Sequence, residues 1–148
     1  MNDVLRVENV FIDLPQRNKE ELFKYLIDNE TSGAVSNSHQ ALTDVLAREA
    51  DLSTGFVKGI AIPHGISNGV EHAIVLIGKL NEPILWETID GDPVNLVFLI
   101  LSPKDSKEQS HLKILAKVAG QLADEDIIEQ IIMTNSKEQI INLLKEEV

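Results

Sequence analysis

Three runs of the chain, Gly59 to Ile62, Ala73-Ile-Val-Leu-Ile-Gly-Lys-Leu80 and Val94-Asn-Leu-Val-Phe-Leu-Ile-Leu101, are short, rich in β-branched residues and almost continuously apolar. A strand with one wet face alternates polar and apolar residues, so strands without alternation are covered on both faces. The flanking segments follow a helical period instead. The spacing predicts a helix from about Lys19 to Asn29, with Leu22, Phe23, Leu26 and Ile27 on one face. A second is predicted from Asn37 or Ser38, either of which can cap it, to about Ala50, with Ala41, Leu42, Val45 and Leu46 along its stripe. Three more are expected over Lys107 to Leu122, Asp126 to Met133 and Lys137 to Lys145, the last opened by the capping box Ser136-Lys-Glu-Gln139. Val10 to Leu14 reads as an extended segment ended by Pro15. Glu82-Pro83 and Asp90-Gly-Asp-Pro93 read as turns, with Ile84 to Trp86 a short strand between them. Helices outside and doubly covered strands inside define an α/β layered domain. At 148 residues the chain holds one core comfortably and two poorly, so residues 1–148 are expected to form a single domain.

Composition narrows the chemistry. With 24 acidic against 13 basic residues the net charge is −11, and no Lys/Arg cluster is dense enough to track a phosphate backbone, which argues against nucleic acid as a partner. No apolar run approaches the roughly 20 residues that span a bilayer, so no membrane insertion is expected. The start, Met1-Asn-Asp-Val-Leu-Arg, has neither the basic opening nor the apolar stretch of a secretory signal, so a cytoplasmic location is expected. There are no cysteines, which excludes disulfides, thiolate nucleophiles and Cys-ligated zinc. There is also no Gly-x-x-x-x-Gly-Lys-Ser/Thr or Gly-x-Gly-x-x-Gly loop for a nucleotide, no Gly-x-Ser-x-Gly elbow and no His-Glu-x-x-His.

Histidine remains as the candidate nucleophile. In Lys58-Gly-Ile-Ala-Ile-Pro-His-Gly65, His64 stands between a proline that fixes φ and a glycine with wide backbone freedom, at the end of an apolar run. The imidazole can therefore project from the carboxyl end of a buried strand, where open α/β sheets build their sites. On spacing alone, His64 reads equally well as an ordinary residue of a surface turn. His111 aligns with Leu115 and Val118 at i+4 and i+7, on the buried stripe near the start of its helix. Taken alone it is more simply a satisfied histidine at the core edge; facing the His64 loop, it becomes a second polar group of one site. His39 and His72 lie in polar surroundings and read as exposed residues without a role. A helical step of about 100° per residue puts Arg48 within about 20° of Ala41, at the stripe's margin, and Glu49 between Val45 and Leu42. Either the helix frays there and both are solvated, or Arg48 is anchored where its planar donor fork can hold a phosphoryl oxygen. A zinc site of His64, His111 and one carboxylate, the basis of a metal hydrolase, has no support in local spacing.

Three stretches together resemble one family. Leu46-Ala-Arg-Glu-Ala50 with Ser53-Thr-Gly55 and Gly59-Ile-Ala-Ile-Pro-His-Gly65, then Glu87-Thr-Ile-Asp-Gly-Asp-Pro-Val94 running into Leu96-Val-Phe-Leu-Ile-Leu-Ser-Pro103, then Ser110-His-Leu-Lys-Ile-Leu-Ala-Lys-Val-Ala-Gly-Gln-Leu122 are similar to the IIA component of the phosphoenolpyruvate-dependent sugar phosphotransferase system, fructose-mannitol class. The resemblance covers nearly the whole chain. It implies a mixed, mainly parallel sheet flanked by helices. It also implies that His64 is phosphorylated, that Arg48 sits beside the phosphoryl group and that His111 is the site's second histidine. The implied donor is the phosphohistidine of HPr, and the implied acceptor is a cysteine of a IIB component that serves a membrane IIC component. Since the chain has no cysteine, that acceptor is expected on another chain. No metal, nucleotide or other cofactor is implied. Nitrogen-related IIA proteins, which report phosphorylation state to regulatory partners instead of feeding sugar uptake, match the Ile89-Asp-Gly-Asp-Pro-Val segment about as well, and the sequence leaves both roles open.

Overall fold

The computed structural model of the protein describes residues 4–104 and 108–145, with the side chains of 108–112 outside the description. A five-stranded sheet runs through the middle. Its strands are β1 (Val10–Leu14), β2 (Ile60–Ala61), β3 (His64–Ser67), β4 (Ile74–Ile84) and β5 (Val94–Pro103), in the order β1-β4-β5-β2, with β3 also paired to β5. β4 and β5 are antiparallel, and the other pairings are parallel. The sheet is therefore mixed and mainly parallel. Both central strands are buried on both faces over most of their length, as their continuous apolar runs require.

Successive residues of these strands feed two cores. Ile60, Ile62, Val75, Ile77, Leu96, Phe98 and Ile100 pack under α3 (Glu108–Leu122), α4 (Glu125–Met133) and α5 (Lys137–Lys145). Ala61, Ile74, Leu76, Val97, Leu99 and Leu101 pack under α1 (Lys19–Asp28) and α2 (Ser38–Asp51). Of the two caps expected for α2, Asn37 serves: its Oδ1 accepts from the N–H of Gln40 at 3.0 Å; Asn18, for which no cap was expected, does the same for α1 through Glu21 at 2.8 Å. Ser136 Oγ accepts from the Gln139 N–H, but the Gln139 side chain does not reach back. It accepts instead from Thr134 Oγ1, which takes the Ser136 N–H, so a third residue completes the box.

Two elements depart from the sequence pattern. Glu82-Pro83 is no turn: β4 continues through it to Ile84 with an irregularity after Lys79, which absorbs the predicted strand at Ile84. Proline is tolerated where the ladder is already irregular. β3 was hidden by Pro63. Yet Ile60 lies opposite Leu96 and His64 opposite Ile100, the same offset of 36 residues, so β2 and β3 are one edge strand in a single register, interrupted where proline has no N–H to give. The predicted start at Lys107 lies outside the described residues.

Gly65 makes the closest approach between this strand and α2. A Cβ there would stand 2.7 Å from Val45 Cγ2 and 3.3 Å from Val45 Cα. Gly65→Ala should thus cost about 1–3 kcal/mol through overpacking, read as a lower urea midpoint with unchanged slope; an unchanged midpoint would show that α2 yields freely.

Candidate functional site

His64 opens β3 just past the proline, and strand alternation puts it on the face of Ile60 and Ile62, the face that α3 covers. Gly65 faces the other way, onto α2. The N–H and C=O of Ile62 both point to the outer edge of the sheet. The N–H donates to the Thr54 carbonyl at 3.1 Å, and the carbonyl lies 3.0 Å from His64 Nδ1. A carbonyl oxygen can only accept, which assigns the proton to Nδ1 and leaves the lone pair of the neutral ring on Nε2. The ring is half-buried. Burial is the largest influence on it and pushes its pKa below 6.5; the Ile62 bond opposes this, the nearby positive charge of Arg48 reinforces it, and the negative charge of Glu49 opposes it. Near neutral pH the uncharged, nucleophilic ring therefore predominates.

Arg48 and Glu49 do not fray. α2 runs on to Asp51, and Arg48 Nη1 donates to the Leu52 carbonyl at 2.8 Å, which uses one of five guanidinium N–H donors. Glu49 is buried, with 6% of its surface exposed. Its Oε2 accepts from Lys19 Nζ, the Thr54 N–H and Trp86 Nε1, each at 3.0 Å, and its Oε1 accepts from Thr54 Oγ1 at 2.5 Å. Burial is the largest influence on this carboxyl and acts to raise its pKa, but the bonds from Thr54 and Lys19 together outweigh it and hold the pKa below 4.5. Lys19 also lies 4.6 Å from the centre of the Trp86 ring, so that one cation serves both partners.

Residue 111 falls in the first turn of α3, the helix that follows β5 and covers the His64 face; the His111 side chain lies outside the described residues. The structure thus gathers His64, Arg48 and Glu49 at the carboxyl end of β2, and leaves His39 and His72 exposed. Among the described residues no three His, Asp or Glu side chains are grouped so that they could hold a metal ion. Sequence reasoning passed over Glu49 as half of a solvated pair, although its place between Val45 and Leu42 on the apolar stripe marked a buried carboxylate in need of donors.

The comparisons with known proteins decide the family. Residues 3–147 match the family described as phosphoenolpyruvate-dependent sugar phosphotransferase system, EIIA 2. The chain belongs to this family. As an EIIA component it is a histidine phosphocarrier. It is 30% identical to the PTS system fructose-specific EIIA component of Haloferax volcanii, over 100% of this chain and 96% of that one. It is 31% identical to a nitrogen regulatory protein of Bradyrhizobium diazoefficiens, over 97% and 94%. The chain spans only 17% of the length of multiphosphoryl transfer protein 1 of Escherichia coli, to which it is 27% identical over 98% of its own length. Among solved structures, nitrogen regulatory protein IIA-Ntr from Neisseria meningitidis superposes with a TM-score of 0.87 at 29% identity, covering 96% of this chain and 97% of that one. The IIA mannitol enzyme of E. coli, solved in complex with phosphorylated IIB mannitol, shares the fold (TM-score 0.80, 23% identity, 97% and 98% covered). Among the described residues of this EIIA chain, no helix is long and apolar enough to cross a membrane.

The depressed histidine has a thermodynamic consequence. Unfolding returns His64 to about 6.5, so below that pH the unfolded chain binds more protons. The His64 contribution to stability is full above pH 6.5 and is lost as pH falls from there through the lower folded-state value. His64→Gln should flatten the urea-midpoint profile in that window while leaving the profile above it parallel to that of the parent; an unaltered slope would mean that the ring is not desolvated.

Proposed function

We propose that His64 carries the phosphoryl group, accepting it from phosphorylated HPr and passing it to a cysteine of a IIB component, which serves sugar uptake through a membrane IIC component. The observation that carries this reading is the Ile62 carbonyl, which holds the proton on Nδ1 and presents Nε2 as the attacking atom. The Nε2 lone pair forms the new N–P bond while the N–P bond of the donor breaks, and the released pair stays on the donor's imidazole. No proton has to leave His64, and the ring, now bearing both Nδ1–H and the phosphoryl group, takes on cationic character. Phosphoryl transfer passes through a loose transition state, so the protein contributes mainly positioning and charge. Arg48 supplies donors to the phosphoryl oxygens, and His111, at the start of α3, is the second donor. No metal or nucleotide enters, since donor and acceptor are both covalent phosphoproteins. The acceptor cysteine lies outside this 148-residue sequence, which has none, and the relay works in the cytoplasm.

A second reading is favoured by the likeness to IIA-Ntr and to the Bradyrhizobium nitrogen regulatory protein: the same phosphohistidine reports phosphorylation state to a regulatory partner. Incubation with phosphoenolpyruvate, enzyme I, HPr and candidate IIB proteins separates the two. Rapid transfer of label to a IIB cysteine identifies transport, whereas state-dependent binding to a non-transporter protein, with no such transfer, identifies regulation.

His64→Ala should take up no phosphoryl group from phosphorylated HPr, and stoichiometric labelling of that variant would overturn the assignment. Arg48→Lys should slow transfer by on the order of 100-fold despite the retained charge, because the fork is lost. His111→Ala should still be phosphorylated but should deliver the group more slowly.

A further inference from the structure

Three hydrogen-bonded links in series, the first of them double, lead from the buried carboxylate to the reacting ring. Glu49 accepts from the N–H and the hydroxyl of Thr54; the Thr54 carbonyl accepts from the Ile62 N–H; the Ile62 carbonyl accepts from His64 Nδ1. Each residue along the path is thereby fixed on both sides. Thr54 is held through its N–H, its hydroxyl and its carbonyl, and the bridge between Gly55 and Ala61 binds the same loop to β2. On its far side Glu49 is anchored by Lys19 from α1 and by Trp86, so the path starts from two other elements of the fold.

We infer that Glu49 is a positioning residue for phosphoryl transfer: through Thr54 and Ile62 it fixes the tautomer and orientation of His64 and supports the positive character the ring gains on accepting the group. This rests on the reading of His64 as the phosphorylated residue. Glu49 does not touch the phosphoryl group, and its effect is indirect in two ways. By holding Thr54 it fixes the carbonyl that takes the Ile62 N–H, and with it the direction of the Ile62 carbonyl that faces Nδ1. The full negative charge favours the cationic ring, in opposition to Arg48 on the same helix. The arrangement resembles in logic a carboxylate that orients a catalytic imidazole, with the backbone of two residues, Thr54 and Ile62, interposed.

The two possible roles of the charge predict opposite signs. Glu49→Gln removes a charge that raises the His64 pKa, so more of the ring is neutral; if that fraction were all that mattered, the variant would accept phosphate at least as fast as the parent. A positioning role predicts slower acceptance, by roughly ten- to a hundred-fold. The experiment measures the rate of labelling by phosphorylated HPr in the 148-residue parent, Glu49→Gln and Thr54→Val proteins, together with 15N shifts and titration of the His64 ring. The expected result for Glu49→Gln is slower labelling, a larger Nε2–H population and a lower titration midpoint. Thr54→Val keeps Glu49 and the Thr54 N–H but loses one bond, so it should shift the tautomer and the rate the same way by less; it carries the test if Glu49→Gln does not fold. Parental ring shifts in the folded variants, with label still on His64, would overturn the positioning role alone. Label on a different residue of the parent protein would overturn the relay reading beneath it.

Discussion

β4 and β5 must be covered on both faces, and this requirement arranges everything else. Their side chains are largely apolar on both sides, so helices have to pack above and below, and the two cores together take up most of the large hydrophobic residues among those described. With its faces closed, the sheet meets solvent only at its edges and at the ends of its strands. Side chains that are to meet solvent are thereby confined to the rim, and one such edge is interrupted at Pro63, between β2 and β3. The histidine there inherits a half-buried environment from the cores and access from the rim.

The second constraint is the carboxylate of Glu49. A buried charge without partners is strongly destabilising, whereas one saturated by donors can be kept. Saturating it takes donors from α1, from the loop after α2 and from the segment after β4, so α2 cannot shift without breaking bonds to three neighbours. Arg48, next in sequence, turns toward the outside of the same helix end. One dipeptide thus sends a negative charge inward and a positive charge toward the His64 side, and the ring sits in the field of both.

Much of this was legible in the sequence. Unbroken apolar runs pointed to the covered sheet, periodic stripes pointed to α1, α2 and α3, and Asn37 and Ser136 announced their caps. His64 was marked by its proline and glycine. The sequence concealed what depends on long-range register. β3 has only four residues and begins at the residue after a proline, so no local pattern distinguishes it from a turn; pairing with β5 creates it. Pro83 looked like a terminator because proline ends regular ladders, and here the ladder had already lost its regularity. The burial of Glu49 was written in its helical phase, but its donors, Lys19, Thr54 and Trp86, lie from 5 to 37 residues away and become neighbours only in the fold.

The outer side of β2 and β3 has a further consequence. A parallel sheet that ends on an open strand offers its unpaired amides and carbonyls to any extended chain, and such rims drive edge-to-edge aggregation. Here the Thr54 carbonyl accepts from the Ile62 N–H, and the Ile60 and Ile62 carbonyls accept from the Phe56 N–H and from His64 Nδ1. The outer groups of Ile60 and Ile62 are thus taken up within the chain, and the bonds that hold the His64 ring also cover this stretch of the rim. The cover of this stretch of edge and the orientation of the His64 ring depend on the same few bonds, and a change that loosens one exposes the other.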